Sequence, residues 1–114
     1  MGQKAFKLVV VYNLKQGVKP EDFEQWFAQV HIPDVKRYPG IRKVVANKVV
    51  GTPDGSPPGY YRTAELHFES REAFEEAWKW RSENILPLEG HSPREWMDFD
   101  RGAILLCEGE EITP

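Results

Sequence analysis

With 114 residues, 40% of them hydrophobic and 12% aromatic, the chain has the size of one domain, residues 1–114, and the apolar content to fill a core. Its 15 basic and 18 acidic side chains leave a formal net charge of -3 with no basic stripe, which argues against a nucleic-acid partner. Cys107 is the lone cysteine and cannot form an intramolecular disulfide, and MGQKAFKLVVVYNL is too short an apolar run for a signal peptide or a membrane span. A cytoplasmic protein without a membrane partner is the expectation.

The first element is a strand over Phe6–Tyr12, β-branched and apolar on both faces: Phe6, Leu8, Val10 and Tyr12 alternate with Lys7, Val9 and Val11. After a loop, Pro20 supplies a φ suited to a first helical turn, and Glu21 and Asp22 set negative charge against the positive end of the dipole. Phe23, Trp26, Phe27 and Val30 then recur as one buried helical face. His31 follows four residues after Phe27, at the edge of that stripe. Pro33 has no N–H to offer the carbonyl of Gln29, so the turn beside His31 is expected to kink or loosen, which can admit a ligand or a water. Tyr38-Pro39-Gly40 ends the element.

Ile41–Val50 reads as a second strand, with Val44, Ala46 and Val50 on one face and Ile41, Val45 and Val49 on the other. The turn-rich stretch 51–59, GTPDGSPPG, makes a long hairpin loop; no helix and no lysine in register follow it, so it is not a phosphate cradle. The third strand, Tyr60–Phe68, places Tyr60, Arg62, Ala64, Leu66 and Phe68 opposite Tyr61, Thr63, Glu65 and His67. Ser70 caps a second helix with Ala73, Phe74, Ala77 and Trp78 inward, ended by Pro87. The stretch LEGHSPREWMDFD is irregular or briefly helical, Ser92 and Pro93 forming a cap and first-turn pair. Ala103–Cys107 is a fourth strand, followed by an acidic tail.

This order predicts an α+β fold of ferredoxin-like βαββαβ plan, a four-stranded antiparallel sheet with two helices on one face. The bare face, with Lys7, Val9, Val11, Tyr61 and His67, is mixed but substantially apolar, and pairing two sheets face to face would cover it; a homodimer is expected. RNA-recognition domains share the strand order, but GYYRTAELHF lacks their aromatic and glycine pattern. His31, His67 and His91 have no two-histidine helical spacing and Cys107 no partner cysteine, so no metal is expected. A haem would need an axial ligand, which His31 or His67 could supply, yet nothing requires it; the expectation is no cofactor.

The strand FKLVVVY, the helix pattern F-x-x-W-F-x-x-x-H-x-P, the Tyr38-Pro39-Gly40 stop and A-E-L-H-F-E-S-R-E-A-F together resemble the EthD family of dimeric α+β barrel proteins, over roughly residues 5–109. The resemblance implies paired sheets forming a barrel, a small pocket between each sheet and its helices, and cofactor-free chemistry on small organic molecules. It also implies that His31 borders the pocket. Leu66 occupies a strand position that can be a cysteine in lactone-isomerase relatives.

Bottom-up chemistry also selects His31 as the acid/base group, because an imidazole titrating near 6.5 can move a proton on a carbonyl compound. Tyr12 and Tyr60 are candidate phenolic donors to an enolate, Phe27 and Leu66 candidate walls, and Trp96 a candidate lid; His67 is expected on the dimer side with Glu65. The expected function is proton transfer on a small, mostly apolar carbonyl or phenolic compound. The alternatives are a cofactor-independent monooxygenase, separable by oxygen uptake, and a non-catalytic binding or accessory protein.

Overall fold

A computed structural model describes residues 4–114; the first three residues of the expected domain lie outside the described residues. Four strands, β1 (Lys4–Leu14), β2 (Ile41–Lys48), β3 (Arg62–Phe68) and β4 (Met97–Glu110), form one antiparallel sheet in the order β2-β3-β1-β4. The helices lie on one face of it, giving the ferredoxin-like plan that the order of elements predicts. The first is a single rod in three pieces: α1 (Pro20–Trp26), a π-helical turn (Phe27–His31) and α2 (Ile32–Lys36). The second is α3 (Arg71–Asn84), capped by Ser70, whose hydroxyl accepts from the Ala73 N–H at 3.1 Å.

The π-turn is the loosened turn that Pro33 announces. With no N–H at Pro33, the Gln29 carbonyl has no α-helical donor. The rod accommodates this by widening one turn, so that the Ile32 N–H bonds to the Phe27 carbonyl five residues back. Gly40, at φ +75°, then takes the left-handed conformation that closes the rod, a position where any side chain would be strained.

The apolar side chains under the helices divide into two clusters. One gathers Phe6, Leu8, Leu66 and Phe68 from the sheet with Val35, Tyr38, Phe74 and Ala77. The other gathers Tyr12, Phe23, Trp26 and Met97, with Val30 packed against them. Phe23, wholly buried, touches the rings of Tyr12, Trp26, Phe27 and Tyr61 at 5.5–5.9 Å, and such burial is worth roughly 2 kcal/mol. Thus α1 serves one cluster, α2 the other, and the π-turn spans the seam between them.

Several sequence expectations need correction. Ile41 packs on the helix side with Val44, because a register shift between Ile41 and Lys43 inserts a residue and breaks the alternation. β2 ends at Lys48, leaving Val49 and Val50 beyond it, and Val50 is almost fully exposed. β3 begins at Arg62 rather than Tyr60, so Tyr61 is not held to strand alternation and turns its ring onto Phe23 instead of the outer face. β4 runs from Met97, six residues earlier than read, since the polar MDFD stretch pairs with the end of β1 (Asn13 with Asp98, Leu14 with Met97). Ser92 precedes a short 3-10 turn, Pro93–Glu95, but its side chain makes no capping hydrogen bond.

Candidate functional site

A cavity of about 190 Å³ opens at the seam between the two clusters. The sheet supplies its floor through Leu8, Val10, Leu66 and neighbours, the rod its roof through Phe27, His31 and Val35, and α3 one side through Trp78 and Arg81. The segment Ser92–Arg94 with Met97 and Phe99 closes the end. The volume suits a compound of one or two rings, since a cavity of roughly 150 Å³ already holds benzene. The walls are mainly apolar, with a few convergent polar groups: His31, Tyr12, Tyr38, Ser92, Arg81 and Arg94.

His31 reaches the cavity because it ends the widened turn. Its ring stacks on Trp26 at 5.0 Å between centroids and tilts against Phe27 at 5.6 Å, which fixes its plane. Burial lowers its pKa to about 4, and the nearby positive charge of Arg81 pushes the same way. At neutral pH His31 is therefore an uncharged imidazole with a free lone pair.

Tyr12 is 1% exposed and its hydroxyl has no hydrogen-bond partner among the described residues. Burial raises its pKa, so it stays a protonated donor. A buried orphan hydroxyl at a cavity wall costs stability, on the order of 1–3 kcal/mol, until something there accepts its proton. Tyr38, seven residues beyond His31 and just past the end of α2, is likewise pushed up by burial and lies beside Arg81.

Of the residues singled out from sequence, His31, Tyr12, Phe27 and Leu66 line this one cavity; Tyr60 and Trp96 do not. Tyr60 is 46% exposed because it belongs to the hairpin loop, not to β3. Trp96 lies behind the wall, stacked on Trp26 at 5.1 Å, and Trp26 is anchored by its own N–H to the Gly90 carbonyl at 2.7 Å. Glu24, on α1, accepts from Tyr61 at 2.8 Å and pairs with Arg62, whose guanidinium lies 4.4 Å over the Phe27 ring. That clamp buttresses the wall residue Phe27 from outside; burial, and after it the Glu24 carboxylate, pushes the Tyr61 phenol up to about 12.

Arg81, Tyr38, Ser92 and Arg94 are the polar wall groups that sequence reasoning did not assign to the site. A signal existed for two of them: Arg81 follows Ala77 and Trp78 at helical spacing on the inward face of α3, and Tyr38 follows Val35 by three residues, just past the end of α2. His67 and Glu65 face the opposite side of the sheet, where Glu65 bridges His67 at 2.9 Å and Lys7 at 3.0 Å. His91 bonds the buried Asp34 at 2.7 Å. Among the described residues no group of three or more His, Cys, Asp or Glu is placed to hold a metal ion, and no helix is long and apolar enough to cross a membrane.

A four-stranded antiparallel sheet with its helices packed on one face over a small cavity defines an α+β protein of ferredoxin-like fold. The structure is similar to an EthD family protein from Bacillus halodurans (TM-score 0.62, 20% identity, 95% of this chain and 99% of that one). It is also similar to an EthD-like protein from Ralstonia eutropha (TM-score 0.65, 21% identity, 97% and 95%). A dimeric protein of unknown function with a ferredoxin-like fold from Bacteroides fragilis matches at a TM-score of 0.57 and 13% identity, over 94% of this chain and 96% of that one. Within this class the sequence is more specific: residues 6–86 match the family described as REDY-like protein HapK, and the chain belongs to that family. An uncharacterized 11.0 kDa protein from the thcB-thcC intergenic region of Rhodococcus erythropolis is 32% identical over 66 residues, a stretch covering 58% of this chain and 61% of that protein.

Proposed function

We propose that the protein binds a one- or two-ring carbonyl or phenolic compound between its sheet and helices and moves a proton on it without a cofactor, His31 acting first as base and then as acid. The observation that carries this reading is the uncharged, ring-stacked His31 facing a mostly apolar cavity beside an unpartnered Tyr12 hydroxyl. The neutral imidazole takes a proton from carbon next to the substrate carbonyl, and the electron pair of the broken C–H bond moves onto the carbonyl oxygen. The enolate so formed accepts a hydrogen bond from Tyr12, and the imidazolium returns the proton to another carbon, giving an isomer of the substrate. A histidine of pKa about 4 is a weak base in the empty cavity. The negative charge that develops on the substrate is what makes its protonation favourable there, because the two opposite charges appear together in a dry site.

The same reading takes the protein as a homodimer joined through the open face of the sheet. It is supported by the apolar Val9, Val11 and Leu105 on that face, and by the dimeric Bacteroides protein of similar fold.

The test is deuterium exchange into a panel of small ring ketones, lactones and phenols, followed by NMR with the natural chain and with His31→Gln. Exchange that depends on His31 supports the proposal. Oxygen consumption in place of exchange would move the protein to the cofactor-independent monooxygenases. Binding that survives His31→Gln with neither exchange nor oxygen uptake would make it a binding protein.

A further inference from the structure

We propose that the ligand of this cavity is an anion, a one- or two-ring aromatic or conjugated carboxylate whose charged end is held by Arg81. The inference rests on the cavity being a ligand site, and it adds the chemical class of the ligand. The chain as a whole is acidic, with a formal net charge of -3, yet the cavity wall contains two arginines and, among the described residues, neither aspartate nor glutamate. Such a reversal at one place makes the local field favour a negative guest.

Arg81 is the arginine that matters. Arg94 is exposed, its guanidinium 5.7 Å over the Phe99 ring, whereas Arg81 is half-buried, with its guanidinium closer to an aromatic ring, 4.1 Å from the ring centroid of Trp78. Arg37, Arg62 and Arg101 each have a carboxylate within 4.0 Å; Arg81 has none among the described residues. A guanidinium held against an aromatic ring beside an apolar cavity has lost part of its water and has gained no counter-ion, which is costly until an anion arrives. Its planar fork suits a carboxylate in two-point contact.

A second, independent observation points the same way. The Tyr12 hydroxyl, buried and without a partner among the described residues, is a donor waiting for an acceptor at the same cavity. Tyr38 adds a second phenolic donor beside Arg81. His31 in its uncharged form can accept but brings no competing positive charge. Donors at the polar wall thus outnumber acceptors, and a carboxylate carries acceptors only.

The experiment is a calorimetric and tryptophan-fluorescence titration of the full chain at neutral pH and low salt with three probes: 2-naphthoate, 2-naphthamide and 2-naphthol. The acid should bind at least about tenfold more tightly than the amide of the same shape, the strength of a charge-assisted contact. Arg81→Gln should abolish that preference, bringing the acid-to-amide affinity ratio to about one, and Arg81→Lys should restore part of it. Arg81→Met, which keeps an apolar stem over Trp78, carries the same test if Arg81→Gln does not fold. Equal binding of acid and amide, or a preference that survives loss of the Arg81 charge, overturns the inference while leaving the cavity as a neutral-ligand site. Binding of none of the three probes overturns the cavity reading as well.

Discussion

At the scale of single residues, His31 and Tyr12 present opposite problems, a group kept from its charge and a group kept from its partner. The His31 imidazole titrates near 6.5 in an unfolded chain and at about 4 in the folded one. As pH falls below 6.5, the unfolded chain takes up a proton that the native chain refuses. The stability held above 6.5 is therefore lost progressively down to about pH 4, by up to about 3 kcal/mol. Urea unfolding of the natural chain should weaken across that window, and His31→Gln should flatten the dependence. In NMR titration the ring should remain neutral at pH 5; a midpoint near 6.5 would contradict the burial. Tyr12→Phe removes a hydroxyl with no partner among the described residues, so the empty protein should gain about 1–3 kcal/mol, while ligand affinity falls. A loss of both would mean that the hydroxyl serves the fold.

At the scale of elements, the site depends on two interruptions of regular structure. The π-turn carries His31 across the seam between the two apolar clusters, where an uninterrupted α-helix would continue the stripe of Phe23 and Phe27. The second interruption is a bulge between β1 and β4, where pairing shifts after Val11 and residues 99–102 of β4 stand against Tyr12 alone. This detour lays Phe99 against Tyr12 at 5.9 Å and makes the end wall of the cavity. Asn13 ties the bulge down, donating to the carbonyls of Gly59 at 2.8 Å and Arg101 at 3.2 Å. Gly102 is what allows the strands to meet. A Cβ there would lie 2.0 Å from the Val11 carbonyl oxygen and 3.2 Å from the Tyr12 Cα, and backbone cannot move aside as a side chain can. Gly102→Ala should cost at least about 2 kcal/mol in urea unfolding and loosen the wall at Phe99. A neutral effect would show that the bulge relaxes freely.

At the scale of the whole molecule, the helices leave one sheet face open, and its two halves differ. Toward β1 and β4 it carries Val9, Val11, Ala103 and Leu105; toward β2 and β3 it is more polar, carrying Lys43, Asn47, Thr63 and the Lys7–Glu65–His67 cluster around Val45. Leu105 is half exposed, and on the far side of the same edge strand Ile104 and Leu106 are exposed as well. An exposed apolar run of this kind, Ile104–Leu106 within β4, favours burial of the open face against another copy. Light scattering at micromolar concentration should give twice the chain mass, and Leu105→Lys should shift the protein to monomer with its cavity intact. A monomeric natural chain would remove the dimer from the proposal.

The sequence alone carried the order of elements, the antiparallel plan, the Ser70 cap and the loosened turn at Pro33, because each rests on periodicity or on a local backbone rule that neighbouring residues decide. It also placed His31, since four residues from Phe27 on a helix is a short-range constraint. The tertiary structure decided what depends on residues distant in the chain. Tyr60 and Trp96 left the cavity because a strand began two residues late and an indole stacked behind the wall. Arg81 and Tyr38 entered it because α3 and the turn after α2, far apart in the chain, meet over the same patch of sheet. The bulge at Gly102 could not be foreseen either, for a register shift between β1 and β4 is a property of the pair and is written in neither strand by itself.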